Sequence, residues 1–585
     1  MTSELFHPSE NSHWNSINWK LVEKRIANLQ HRITMATERG DNRKVRNLQR
    51  LLVRSLSGRL KAVRQVAQEN HTKQMPGIDG KLWTTPQQKL QAALDLRKKS
   101  KTQPLRRIFI PKKNESTRPL GIPTVRDRAA QAVWNLAVLP VVEQNSDAAS
   151  YGFRPYRSCW DAFAQTRVVF AKKESAKWVL EANICEMFDL IDRNWLLENT
   201  PMEKKVLKSW IKSGFFAGEI SSHSESGIPQ ERVISPTLAN LTLNGLEAFL
   251  EKRFPKGCRF NTQSKKSGYH TSKINVIRYA DDFIVSGRSV RQLNRVRRAI
   301  SEFLKPRGLK LHEGKTRITP IHKGFHFLGW KFWKAPNGAF LGQISRASVK
   351  AHQMNIKRII KQSGNQPVPT LIRKLNEQIT AWTNYHRCTD GLWKVWSKMD
   401  KYVYELLWKW ARKRHGKRSH TWIYQRHWLH LNGRWTFFAK SPAENPSTSS
   451  NGEVKAEKLY TLKSHSARKM LVQRLPSSVN VFDLRNRKKI AEAWFLKQKD
   501  KLEGTRRLIW IRQKGICPVC SRELDFGLFD SVDFHHILTS FQTGTDKFAK
   551  LVLLHEHCHY VSHHKMAAKN PLPFAKAKAK VDRNA

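Results

Sequence analysis

RYADDFIV, residues 278–285, sets two adjacent carboxylates between apolar runs. The flanking INVIR and FIVSG are β-rich, so Asp281 and Asp282 are expected at the tip of a tight hairpin. A DD pair in a turn is commonly only a solvated turn. The sharper reading is half of a metal centre. Hard dications held roughly 4 Å apart need several converging carboxylates, more than one hairpin offers. The segment placed to supply the rest is VLEANICEMFD, residues 179–189.

Across 585 residues, 106 Lys+Arg stand against 47 Asp+Glu, a net charge of +59. So much like charge costs self-repulsion, and a phosphate backbone is its commonest explanation; a solvated basic surface is the bland alternative. The length exceeds one core, so about three or four domains are expected. No apolar run approaches a bilayer-spanning length, and MTSELFHPSENSHWN lacks a signal-like core, so neither a membrane role nor secretion is expected. Seven cysteines, three of them near the C-terminus, make no disulfide framework and imply a reducing compartment. Most of the 20 tryptophans are expected in the core, with some stacking on bases.

Residues 14–70 carry helical periodicity. In NRKVRNLQRLLVRS, Val45, Leu48, Leu51 and Leu52 are expected to form the buried stripe. Arg43, Arg46, Arg50 and Arg54 line a second face, open to solvent or to phosphates. From 75 to 335 helical patterns alternate with short β-rich runs, as in an α+β domain. Residues 345 to about 440 read as helical and very basic. There the tryptophans are expected mainly inside, with Arg412, Lys413, Arg414, Lys417 and Arg418 outside, facing RNA or DNA. SPAENPSTSSNGE (441–453) reads as a linker and the Lys/Ala-rich end as a disordered tail.

Seven segments in chain order resemble the group II intron-encoded proteins, the reverse transcriptase/maturases. They are PLRRIFIPKKNESTRPLGIP (104–123), SYGFRPYRSCWDAF (150–163), VLEANICEMFD, GIPQERVISPTLANLTLNGLE (227–247), RYADDFIVSG, GLKLHEGKTRITP (308–320) and FHFLGWKFW (325–333). The likeness covers roughly residues 15–565. It implies a multidomain α+β protein with right-hand-like fingers and palm, an α-helical thumb and a small ββα-metal HNH zinc domain. The implied divisions are an RNA-binding helical extension (1–70), fingers and palm (71–335), thumb or maturase domain (336–405) and a basic DNA-binding region (406–440). A linker (441–455), a basic helical connector (456–500), the HNH endonuclease domain (501–566) and the tail (567–585) follow.

The resemblance also implies residue roles. Asp281 and Asp282 match the paired Mg²⁺-binding aspartates. Lys112 and Arg118 match finger residues that grip the incoming triphosphate, and Lys315 a lysine beside it. Phe188 matches the bulky residue that excludes a ribose 2′-hydroxyl, and Gln230 lies in the segment packing on nucleotide and template. Trp382, Asn384, Tyr385 and His386 match the maturase domain's aromatic-polar run.

Departures from the pattern bear on activity. The family carries a metal-bridging aspartate where Asn183 stands, and an amide gives one neutral oxygen where two dications need charge. Glu231 and Arg232 replace a Gly-Gly pair, placing side chains where bare backbone would approach the template. Glu181, on the same strand face as Asn183, is a candidate to rescue the metal site.

Near the C-terminus, Cys517-x₂-Cys520 followed by His555 and Cys558 reads as a structural tetrahedral Zn²⁺ site. The neighbouring DFHHI and LVLLHEHCHYVSH resemble an HNH endonuclease, with His535, His559 and His563 as ligands of a catalytic Mg²⁺ or Mn²⁺ and His536 as the base activating water. Lys550 stands where the family has a loop-bracing asparagine, which a donor-only side chain does not replace.

Three readings follow. The first is a maturase that binds its intron RNA and promotes splicing, with a degenerate polymerase. The second is a mobility enzyme that also copies RNA and nicks target DNA. The third keeps only the nuclease. The resemblance implies an organelle-encoded protein of a plastid or mitochondrion, or a bacterial cytoplasmic one. Neither the intron bound nor the oligomeric state is legible.

Overall fold

A computed structural model describes residues 14–70, 74–98, 101–111, 117–213, 233–255, 257–261, 266–270, 272–431, 433–441, 458–466, 469–470, 472, 474–499, 502, 504–520, 523–524, 532–536, 551–555, 558–559 and 562. The chain divides into two compact units, one of residues 1–165, 178–318 and 473–585, the other of 166–177 and 319–472. No described helix is long and apolar enough to cross a membrane.

The first unit opens with helices α1 (Trp19–Glu38), α2 (Asn42–Arg54), α3 (Leu56–Arg64) and α4 (Pro86–Asp95). Each has a side-chain cap: Asn18, Asp41 and Ser55 accept amide protons of α1 to α3, and Thr85 with Gln88 closes a capping box on α4. In α2 the buried residues are Val45, Leu48, Gln49 and Leu52, whereas Leu51 is 51% exposed. The helical period turns Leu51 outward. Gln49 takes the inward position because its amide donates to the carbonyls of Ala137 and Pro201. Arg43, Arg46, Arg50 and Arg54 are exposed.

A ribbon, β1 (Arg106–Pro111) and β2 (Thr117–Ile122), precedes α5 (Val125–Gln144), α6 (Cys159–Phe170) and strand β3 (Trp178–Asn183). Helices α7 (Met187–Leu190), α8 (Arg193–Asn199), α9 (Lys204–Lys212), α10 (Ser235–Leu243) and α11 (Leu246–Arg253) follow, then the ribbon β4 (Gly257–Asn261) and β5 (Lys266–His270). Strands β6 (Val276–Tyr279) and β7 (Asp282–Gly287), helix α12 (Val290–Leu304) and β8 (Arg317–Pro320) complete this stretch. The central sheet has the order β6-β7-β3-β8. β3 runs antiparallel to β7, pairing Leu180 with Val285 and Asn183 with Asp282. Leu180, Phe283 and Val285 bury into one core with Val296 and Ile300 of α12 and Leu238 of α10. Each such side chain contributes roughly 1.5–3 kcal/mol, so the sheet has a firm floor beneath the acidic hairpin.

The C-terminal segment belongs to this first unit as well. It contains α17 (Arg487–Lys499), α18 (Gly504–Arg512) and the antiparallel pair β15 (Val532–His536) and β16 (Leu551–His555). Trp494, Ile509, Trp510 and Leu553 share one apolar cluster with Val22, Val63 and Ala129. Polar contacts reinforce it. Lys497 pairs with the fully buried Asp161 at 2.7 Å, Tyr156 donates to Glu523 at 2.7 Å, and Arg157 donates to the carbonyls of Leu475, Pro476 and Val479.

The second unit contains a three-stranded sheet of β9 (Phe325–Phe327), β10 (Trp330–Lys334) and β11 (Phe340–Ile344). Helices α13 (Arg346–Gln362), α14 (Val368–His386), α15 (Leu392–Arg414) and α16 (His420–His427) come next. A second sheet, β12 (Trp428–Leu431), β13 (Arg434–Ser441) and β14 (Lys458–Thr461), closes the unit. Residues 428–431 and 434–441 are therefore strands, not helical as the basic pattern suggested. Their alternating aromatics place Trp428 and Phe437 on the buried face. β14 returns to pair with β13, so the expected linker at 441–455, almost all of it outside the described residues, joins two strands of one sheet.

Candidate functional site

The β6–β7 hairpin closes through Ala280 and Asp281, with Tyr279 paired to Asp282. Ala280 adopts φ +57°, a left-handed conformation that costs a residue bearing a Cβ roughly 1–2 kcal/mol. Residues 149–152 brace it. The Tyr151 amide donates to the Arg278 carbonyl and the Arg278 amide to the Ala149 carbonyl, each at 2.9 Å. Gly152 approaches so closely that a Cβ there would lie 2.4 Å from the Ala280 nitrogen. Arg278 is fully buried, donates to Asn240 and Asn244 and lies 3.7 Å from Asp147. Burial lowers its pKa to about 10, still charged at neutral pH. SYGFRP is thus the buttress of the acidic turn, a role its sequence did not reveal.

The register sets Asn183 directly opposite Asp282. The Asn183 side-chain amide donates to Asp281 Oδ2 at 3.4 Å, and the Asn183 backbone carbonyl accepts from the His312 backbone amide. The three positions expected to meet do meet, as two carboxylates and an amide. Burial and the neighbouring Asp281 push the Asp282 carboxyl up to about 8, with Lys315 opposing and Glu181 adding. Lys315, in a 3₁₀ turn, lies close enough to act on the Asp282 carboxyl. Glu181 does not reach into the centre as a ligand. Both its oxygens accept from Arg317, each at 2.8 Å, an ion pair that holds β3 to β8.

Lys112, Gln230, Glu231, Arg232, Lys550 and His563 lie outside the described residues, as do the side chains of Arg118, Phe188, His535 and His536. His559 sits in a helical turn after β16.

Cys517, Cys520, His555 and Cys558 come together, their ligand atoms all within 4.8 Å of one another and all four residues buried. His555 Nε2 contacts the Glu523 carbonyl at 3.1 Å, which fixes the protonated nitrogen there and turns Nδ1 toward Cys520 Sγ at 3.4 Å and Cys558 Sγ at 3.9 Å. Three sulfurs and one ring nitrogen at such spacing fit the tetrahedral donor set of Zn²⁺.

In the second unit Trp382, Tyr385 and His386 of the aromatic-polar run are engaged in packing and hydrogen bonds. Trp382 stacks on His352 at 4.3 Å, and Tyr385 donates to the Leu328 carbonyl. His386 Nδ1 accepts from the Trp330 indole at 2.9 Å while Nε2 contacts the Ser348 hydroxyl at 3.0 Å. Arg412, Lys413, Lys417 and Arg418 are exposed as expected. Arg414, though exposed, is committed to the carbonyls of Gly364 and Gln366. Trp410 and Trp428 are buried, but Trp393, Trp422 and Trp435 are not.

Three family models match along the chain: the N-terminal domain of reverse transcriptase at 14–96, reverse transcriptase (RNA-dependent DNA polymerase) at 110–332, and the group II intron maturase-specific domain at 349–428. In this order the three models match the parts of a group II intron-encoded reverse transcriptase/maturase, the family this chain resembles from 14 to 428. Protein YkfC of Escherichia coli is 29% identical over 284 residues, 43% of this chain and 74% of the relative. Group II intron-encoded protein LtrA of Lactococcus lactis is 27% identical over 282 residues, 39% of this chain but 46% of the relative, so this chain spans about half of LtrA. Maturase-like protein 1 of Euglena gracilis is 24% identical over 392 residues, 65% of this chain and 78% of the relative.

Proposed function

We propose that the protein is a splicing cofactor that binds a group II intron RNA, its polymerase fold serving as a binding platform. One observation carries the reading: at the acidic hairpin an amide donates to Asp281 where a third carboxylate is needed. Two dications require converging anionic oxygens, and Asp281 with Asp282 alone holds them weakly. Glu181 is no substitute while Arg317 occupies it. RNA binding needs none of these carboxylates, and the +59 charge supports it.

In this reading the central sheet is the palm and the β1–β2 ribbon the fingers, with Lys112 and Arg118 at the positions that grip an incoming triphosphate. Residues 336–405 form the thumb or maturase domain, and 406–440 contact DNA. The Cys517–Cys520–His555–Cys558 cluster holds structural Zn²⁺. Strands β15 and β16 with the following helical turn form an HNH module that nicks target DNA, His536 acting as base and His535, His559 and His563 holding Mg²⁺ or Mn²⁺. A bacterial or organelle setting suits these relatives. A second reading, an active RNA-copying mobility enzyme, is favoured by the intact Asp281–Asp282 hairpin with Lys315 alongside.

The test is splicing of a precursor carrying a group II intron found in the DNA flanking the reading frame, at a Mg²⁺ concentration too low for self-splicing. The protein is expected to accelerate splicing and to bind that intron well above an unrelated RNA of equal length. No acceleration and no preference would sink the proposal.

A further inference from the structure

In the second unit, a cavity of about 430 Å³ opens where α15 ends and α16 begins. Among the described residues, Lys409, Arg412, Lys413, His415, Arg418 and His420 line it, and no carboxylate does. Four full positive charges around one cavity, without a lining counter-ion, repel one another and favour an anion between them. Beside it stands Trp422 on α16, 36% exposed although a buried position is the ordinary fate of an indole. The Arg418 guanidinium lies over its ring at 5.2 Å, and the His415 ring meets it edge-on at 5.2 Å. Two of the groups that line the cavity therefore also touch the exposed ring.

We propose that this cavity and Trp422 form a site for one unpaired nucleotide of a nucleic-acid strand, its phosphate among Lys409, Arg412, Lys413 and Arg418 and its base stacked on the Trp422–Arg418 layer. A phosphate brings the missing negative charge, and stacking uses the flat apolar surface that the fold leaves uncovered. A duplex keeps its bases paired and stacked on each other, so it offers the cavity only its phosphates. The site therefore distinguishes single strands from duplexes. RNA and DNA strands share this chemistry. The proposal rests on the nucleic-acid-binding reading above and adds the residues and strand state it selects.

The experiment measures fluorescence-anisotropy affinities of the full-length protein for labelled single-stranded oligouridylate, single-stranded oligothymidylate and a duplex of equal length. Binding of the intron RNA is measured in parallel. Trp422→Ala is expected to weaken both single strands about tenfold, the scale of one base–aromatic stack. It should change duplex affinity less than about threefold, and Trp422→Phe should restore most of the loss. Trp393→Ala serves as control, since that exposed indole lies at the opposite end of α15, roughly 30 Å away at 1.5 Å per residue. Arg418→Ala, at an exposed side chain, gives an independent measure should Trp422→Ala fold poorly, and is expected to weaken the same two strands. A loss no larger than that of Trp393→Ala, or an equal loss on duplex and single strand, overturns the proposal. If only one of the two strands responds, the strand chemistry is narrowed to RNA or to DNA and the site stands. If single-strand selectivity holds but the intron RNA is not preferred over unrelated RNA, the site stands and the splicing reading falls.

Discussion

The side-chain nitrogen of Asn183 lies 3.4 Å from Asp281 Oδ2, and the register of β3 against β7 makes that meeting unavoidable. An aspartate at the same position would set a third negative charge into the hairpin. Asn183→Asp is therefore expected to lower the melting temperature in EDTA, through repulsion, and to gain far more from added Mn²⁺ than the wild type does. Melting curves with and without Mn²⁺ check this. Equal metal responses in the two proteins would show that position 183 does not limit the site.

Glu181 is nearly buried and its partner Arg317 is exposed. Removing the partner takes two charge-assisted bonds from a desolvated carboxylate. Arg317→Ala is expected to destabilise the protein by about 1–3 kcal/mol, and Glu181→Gln with Arg317→Ala together by less than the sum. Denaturant unfolding of the four-member cycle measures the coupling.

The Cys517–Cys520–His555–Cys558 cluster shares its apolar surroundings with α1, α3 and α5. Metal loss should therefore be felt well beyond the C-terminal segment. Chelation, or Cys520→Ser, is expected to speed hydrogen exchange in α3 and α5 as well as in α18 and β16. Exchange changes confined to residues 504–562 would mean that the C-terminal segment opens independently.

His352 and His386 are buried neutral, with pKa values lowered to about 3, chiefly by burial. An unfolded imidazole near 6.5 takes up its proton first, so the stability these residues lend is present above that value. It is lost as pH falls from about 6.5 toward 3, at roughly 1.4 kcal/mol per pH unit for each ring. Protonated His386 can no longer accept from Trp330. Protection factors in α13 and α14, taken against the intrinsic exchange rate at each pH, are expected to drop between pH 6.5 and 5, and His386→Gln to flatten that dependence. A pH-independent profile would contradict the assignment of two buried neutral rings.

The hairpin, its partner strand and the Cys/His cluster were legible because each rests on local chemistry: β-rich runs around a turn, and thiols at ligand spacing. Long-range accommodation was not. Gly152 under Ala280, Arg317 across from Glu181 and Lys497 against Asp161 join residues far apart in sequence, which no local period encodes. Leu51 and Gln49 exchanged places for a related reason, since a buried amide is acceptable only where carbonyls wait for it. The strands of 428–441 were masked by their charge. Alternating aromatics overrode the basic, helix-like composition.

The central claim is that the hairpin at Asp281 and Asp282 no longer works as a polymerase centre. Primer extension on an RNA template, by purified wild-type protein with Mg²⁺ or Mn²⁺ and deoxynucleotides, tests it most directly. The expected result is no extension above the level of Asp282→Ala under conditions in which the protein still accelerates splicing. Extension by the wild type that Asp282→Ala abolishes would contradict the account.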